Sequence, residues 1–294
     1  MTGAATARAG LSATAMAAGW MIFGGTCYIV SAVFVRMLAS RYGAFELAFL
    51  RCLIAVVFVA PLVLRLGLAR MRTTQFPMHC LRTAFTYSGL AFWFLSVSLI
   101  PIADFYALVF TTPLFTIAGA ILFLGERAGP RTWLACAVGF AGALIILRPG
   151  FAEVSLGMVY ALATGLSYAG VHNCVRVLSR KDSGLVIIAW VNVLMLPIAL
   201  VPALMEWRPI ALADVPMILG VGLFATWGQY GLTRAVAAAD ARVVQPFDFF
   251  RLPVAALAGW LAFGEFSGHW TWLGAAIIFA AGYYVLWAER GTRG

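Results

Sequence analysis

The sequence predicts an all-α polytopic membrane protein with ten transmembrane helices, arranged as two inverted five-helix repeats. Three observations carry that prediction. First, 63% of the 294 residues are hydrophobic and only 11% are charged, against roughly 25% charged in a soluble domain. Second, apolar runs of membrane-crossing length follow one another with no long polar insertion. Third, the chain matches itself at one constant offset, which divides it into residues 1–150 and 151–294.

At about 20 apolar residues per crossing, the first half holds spans at 17–38, 45–64, 78–99, 102–124 and 132–147. The second half holds spans at 156–178, 185–205, 215–236, 241–263 and 270–287. The first run follows a short tail with one arginine, as a signal peptide does. Its counterpart later in the chain makes it a retained helix.

The repeat appears at an offset of 140 residues. Gly25, Tyr28, Arg36 and Leu38 meet Gly165, Tyr168, Arg176 and Leu178; Thr86 meets Thr226; Pro113, Ala118, Gly119 and Phe123 meet Pro253, Ala258, Gly259 and Phe263. After a one-residue slip, Gly125-Glu126 and Thr132-Trp133 meet Gly264-Glu265 and Thr271-Trp272. Five spans per half is an odd number, so the second half enters from the opposite side, as in the inverted repeats of secondary transporters.

The fourth and ninth spans set the centre. Each carries a proline near its middle, Pro113 and Pro253. Proline removes a backbone donor and crowds the preceding turn, so both helices are expected to kink or open there and act as hinges. Carbonyls freed at that depth need a partner from protein, water or ligand. Small residues at helical spacing, such as Gly24-Gly25, Gly139 with Gly142, Gly220 with Gly222 and Gly228 with Gly231, let helices approach closely.

Charge gives orientation and excludes several functions. Fourteen Lys and Arg residues fall on the side of the N-terminus and four on the other, with Arg51 and Arg251 inside spans. This asymmetry predicts cytoplasmic termini. The net charge of +9 is spread between apolar runs, which reads as topology rather than nucleic-acid binding. No GxxxxGK loop is present, so no ATP use is expected. Cys27, Cys52, Cys80, Cys136 and Cys174 stand singly and read as packing residues. No metal or other cofactor is expected. An intramembrane enzyme would need a nucleophile with its base or a metal cluster. No HExxH occurs, and the residues around Ser167 lack the GxSxG spacing. Nor does any segment read as a channel filter.

The stretch TTPLFTIAGAILFLGER followed by WLACAVGFAGALIILRPG, with the ten-span layout and mid-helix prolines, resembles the EamA-type branch of the drug/metabolite transporter superfamily. The aromatic-rich spans resemble most the aromatic amino-acid exporters of the YddG type. The resemblance covers nearly the whole chain and implies a cavity lined mainly by the first, third, fourth, sixth, eighth and ninth spans. The second Gly-Glu continues as Phe266 rather than a basic residue, a departure between the two ends.

Candidate site residues follow from what a bilayer centre tolerates. Arg251 and Asp248 stand three apart, and intramembrane charges usually face a cavity. Arg251 suits a substrate carboxylate, and Asp248 suits a coupling proton or an α-ammonium; the alternative is a self-satisfied pair. Tyr87 with Trp227 and Tyr28 with Tyr168 offer aromatic faces at repeat-related or neighbouring positions. Tyr230, Thr111 and His172 complete the substrate-binding set, although His172 also suits a cross-helix hydrogen bond. Arg51, two turns into the second span near Glu46, reads as reaching for the membrane surface or packing between helices. Asp104 and Asp214 begin spans and read as helix caps.

These features together predict a secondary transporter exporting small amphipathic metabolites, aromatic amino acids first, across the bacterial inner membrane by alternating access. Export of drugs or organic cations is the alternative, since aromatic pockets also bind cations. The expected partners are a small-molecule substrate and the lipid bilayer, with a monomer as the expected state.

Overall fold

The computed structural model describes residues 2–66, 72–125, 130–148, 154–182, 184–238 and 247–288. Among these, every regular element is helical. The first half contributes α1 (Thr2–Leu38), α2 (Ala44–Leu66), α3 (Phe76–Leu99), α4 (Ile102–Val109), α5 (Thr112–Leu124) and α6 (Pro130–Leu147). The second contributes α7 (Leu156–Leu178), α8 (Gly184–Met205), α9 (Val215–Ala238), α10 (Arg251–Phe263) and α11 (His269–Ala288), with a 3-10 turn at Leu212–Asp214. Since α4 and α5 are two halves of one span, these helices make up ten spans.

Helix is the form this composition dictates. Large apolar side chains cover the outside, Leu122, Phe123, Val201, Leu204 and Leu261 among them. A surface of that kind faces lipid, where backbone groups must be satisfied within the segment. Ala15–Leu38, Ile102–Leu124 and Val186–Met205 are each long and apolar enough to cross a membrane, with Trp133–Leu147 and Arg251–Phe263 as shorter apolar helices.

Lipid removes the hydrophobic drive between helices, so they associate by close packing of small residues. The α1–α9 crossing shows this: a Cβ on Gly24 would meet the Gly228 carbonyl oxygen and the Leu232 nitrogen at 2.9 Å. At the α6–α11 crossing, a Cβ on Gly274 would meet the Gly142 carbonyl oxygen at 2.5 Å. The main helix pairs are α1 with α9, α3 with α7, α6 with α11 and α2 with α8. Exchanging repeat-related helices turns the first pair into the second and returns the other two to themselves, a pattern consistent with the repeat.

The twin Gly-Glu motifs have a local explanation. Gly125 (φ 68°) and Gly264 (φ 67°) end α5 and α10 in the left-handed region, which glycine enters without steric cost. Beyond Gly264, Glu265 turns back to pair with Arg36 of α1. Glu126 lies outside the described residues.

Polar ties gather at the two ends of the bundle. On the face opposite the N-terminus, Arg36 also donates to the Ile100 carbonyl at 2.6 Å and stacks over Phe263. Nearby, Asp214 accepts from Arg41 at 2.5 Å and from Tyr42 at 2.9 Å, and the Arg208 amide donates to Glu46 at 3.3 Å. Asp104 accepts from Thr271 of α11 at 2.7 Å. The two aspartates expected at helix ends stand in the first turns of α4 and of the 3-10 turn, and their side chains bond other elements rather than capping backbone N–H groups. On the N-terminal face, Asp182 gathers Thr73, Gln75 and His79. Burial pushes the Asp182 carboxyl up, but these hydrogen bonds prevail and hold it below the ordinary range.

Candidate substrate site

Two broken spans build the centre. In the first, α4 stops at Val109 and α5 starts at Thr112, with Pro113 in its first turn. Pro113 has no N–H for the Val109 carbonyl; the Thr112 hydroxyl donates to it instead, at 2.6 Å. Thr111 donates to the Leu108 carbonyl at 2.7 Å. The second break lies at Phe249-Phe250, where Leu252 N–H donates to the Phe249 carbonyl at 3.0 Å. The two breaks meet: the Phe110 and Phe249 rings stack with centroids 5.4 Å apart. Pro113 is half-buried and Pro253 exposed.

Around this meeting point stands a group of tyrosines and arginines. Arg251 reaches back across α1, where only a glycine leaves room, since a Cβ on Gly25 would meet Arg251 Cγ at 2.8 Å. Its guanidinium sits over the Tyr28 ring, 5.5 Å from the centroid, and pairs with Asp248 at 2.7 Å. The Tyr28 hydroxyl donates to Gln229 of α9 at 2.8 Å. Tyr168 of α7 packs on Gly89 of α3, where an added Cβ would meet its ring at 3.1 Å. Tyr106 of α4 is 4% exposed, and its hydroxyl has no hydrogen-bond partner among the described residues. Tyr28, Tyr106, Tyr168 and Arg251 lie within electrostatic reach of one another, and Arg51 acts on both Tyr28 and Tyr168.

Arg51 stands on a face of α2 that packs between helices, one of the two places expected for it. Glu46 is occupied by the Arg208 amide. One turn beyond Arg51, Ile54 packs on Gly222 of α9, which turns this face of α2 inward. The second span thus packs against α9 on this face, although the resemblance leaves it outside the main lining.

Thr111 is a correction. It is fully buried, its hydroxyl is used by the Leu108 carbonyl, and its side chain abuts the Gly165 position of α7. This is the repeat image of Arg251 on Gly25, with a packing role where the arginine reaches the site.

The remaining candidates divide. Tyr28, Tyr168, Arg251 and Asp248 are brought together. Tyr87 has a buried hydroxyl with no hydrogen-bond partner among the described residues, and its electrostatic neighbours are Glu206 and Cys52, the latter shared with Tyr168. Trp227 is half-exposed and packs edge-on to Phe224. Tyr230 stands edge-on to Trp20 and accepts from Arg234 at 3.3 Å. His172 is exposed toward the N-terminal end of the bundle, with Arg82 in electrostatic reach. Sequence reasoning missed Tyr106 and Gln229. The signal for Tyr106 was its place one turn before the break, where a side chain enters the gap that the broken helix leaves.

A separate cavity of about 600 Å³ opens at the far face beside Tyr42, Leu47, Ser98, Glu206, Trp207 and Arg208. None of the central group lines it. The centre itself offers flat aromatic faces, phenol tips and guanidinium donors, a combination that holds a planar ring and orients a polar edge.

Comparison with known proteins agrees with this architecture. Residues 15–148 match the EamA-like transporter family. A riboflavin transporter of Rhizobium johnstonii is 36% identical over 91% of this chain and 89% of its own length. A riboflavin transporter of Vibrio cholerae is 31% identical over 93% and 94%. An S-adenosylmethionine uptake transporter of Rickettsia bellii is 24% identical over 92% and 94%. The chain belongs to the EamA-like transporter family and is a membrane transporter of the drug/metabolite superfamily. These relatives do not carry the aromatic amino-acid assignment; they are named for riboflavin and S-adenosylmethionine.

Proposed function

We propose that this protein carries riboflavin or a closely related flavin across the inner membrane in the direction of uptake. One observation carries the reading: similarity above 30% identity to riboflavin transporters over nine-tenths of the chain. The central tyrosines, the Phe110–Phe249 stack and the guanidinium donors support it, because an isoalloxazine ring is flat and bears carbonyl acceptors along one edge. The uptake relatives support the direction. Both termini face the cytoplasm, and two inverted five-span halves rock about the broken helices to expose the centre to each side in turn.

The test is growth of a riboflavin auxotroph that lacks its own flavin transporter, together with flux into proteoliposomes. The protein is expected to restore growth on low riboflavin and to take up riboflavin ahead of labelled phenylalanine, tyrosine or tryptophan. Flux of aromatic amino acids with none of riboflavin would return the assignment to amino-acid export, and flux of ethidium alone would move it to organic cations.

A further inference from the structure

The far-face cavity, at about 600 Å³, falls within the range of small-molecule sites, roughly 300–1,000 Å³. One wall is the segment that follows α8, Glu206-Trp207-Arg208; facing it are the α1–α2 turn at Tyr42 and the end of α3 at Ser98 and Leu99. Arg208 is held from two sides: its amide donates to Glu46 at 3.3 Å, and its guanidinium donates to the Arg41 carbonyl at 2.9 Å. That leaves the other N–H groups of the fork for a ligand. Glu206 lays its carboxylate over Gly43, where only a glycine leaves room. The carboxylate makes no hydrogen bond or ion pair with another described residue. Trp207 is 42% exposed and is braced edge-on by Phe49, with ring centroids 6.1 Å apart. Arg41 is already paired with Asp214. The wall therefore sets a carboxylate and a guanidinium, unpaired with each other, beside an open indole face.

We propose that this cavity is an outer binding site for a neutral, polyhydroxylated chain, separate from the centre. A carboxylate accepts from hydroxyl groups and a guanidinium donates to them. Neighbouring hydroxyls, each both donor and acceptor, satisfy the two side chains at once, and the C–H flank of the chain covers the Trp207 indole. Glu206 disfavours a free anion and Arg208 a free cation, so the opposed charges select a ligand without net charge. The ribityl tail of riboflavin has this chemistry. A zwitterion meets the same two charges, and the similarity to riboflavin transporters decides for the hydroxylated chain. That choice of ligand rests on the flavin reading; the existence of the site does not.

The experiment places a thiol in the cavity wall by Leu99→Cys, at a position 55% exposed, in the full-length protein in detergent. Labelling by a hydrophilic thiol reagent is followed over time. The wild type, whose five cysteines are buried or half-buried, serves as the blank. Riboflavin is expected to slow labelling at position 99. Lumiflavin, which carries a methyl group in place of the ribityl chain, should leave it unchanged. Added to Leu99→Cys, Glu206→Gln and Arg208→Gln should each raise the riboflavin concentration for half-protection about tenfold or more. In proteoliposomes the same two substitutions should raise KM for riboflavin and leave that for lumiflavin near wild type. Should riboflavin protect the thiol in a Glu206-dependent way while none of it is transported, the uptake reading falls and the outer site stands. Riboflavin transport with no protection at position 99, or with protection that lumiflavin matches or that survives both substitutions, would overturn the site. Protection by tryptophan in place of riboflavin would overturn the hydroxylated chain as its ligand.

Discussion

At the scale of single residues, charge in the membrane is legible in a sequence, but its direction is not. Arg51 and Arg251 both stand out inside apolar runs. Only packing tells them apart from surface-seeking arginines: Gly25 beneath one and the Ile54–Gly222 contact beside the other. Thr111 looked like a polar handle for substrate, yet its hydroxyl completes the backbone at the break, a debt that sequence reasoning had identified without naming its creditor. The Asp248–Arg251 pair yields a prediction. Its side chains are 26% and 16% exposed, so removing one partner strands a poorly hydrated charge. Asp248→Asn or Arg251→Met alone is expected to cost about 3 kcal/mol. The double variant should be less destabilised than the sum of the two, as read from melting of the detergent-purified protein.

At the scale of elements, the sequence shows ten spans and two breaks because length, apolarity and proline act locally. It does not show how each break is healed. The two solutions differ: the first uses a threonine hydroxyl, the second a backbone N–H from Leu252. Proline alone therefore does not determine the detail, and the residue before it does. Thr112→Val keeps the shape and removes the donor to the Val109 carbonyl. It is expected to destabilise the protein by about 1–2 kcal/mol, whereas Thr112→Ser should stay near wild type. Thermal melting of the two variants side by side checks this.

At the scale of the whole molecule, Arg36 ties separate elements together at the far face, joining α1 to Glu265 and to the α3–α4 connection. None of this was legible in advance, since the partners are 64 and more residues apart. Burial pushes the Glu265 carboxyl up despite Arg36, so it takes up its proton at a higher pH than an ordinary glutamate. Above that pH the pair is charged and closed; below it the pair weakens. A cysteine introduced at Ala103, 2% exposed beside this closure, is expected to react slowly with an impermeant thiol reagent at neutral pH and faster on acidification. In a Glu265→Gln background the reaction should be fast and independent of pH.

The glycine contact between α6 and α11 has a mechanical consequence. Where Gly142 and Gly274 bring main chain against main chain, there are no rotamers to reset and no side chains to unlock as neighbouring helices shift. A joint of that kind suits an axle: in the proposed alternating access it would keep α6 and α11 in register, and bulk placed there is expected to slow transport rather than weaken the grip on cargo.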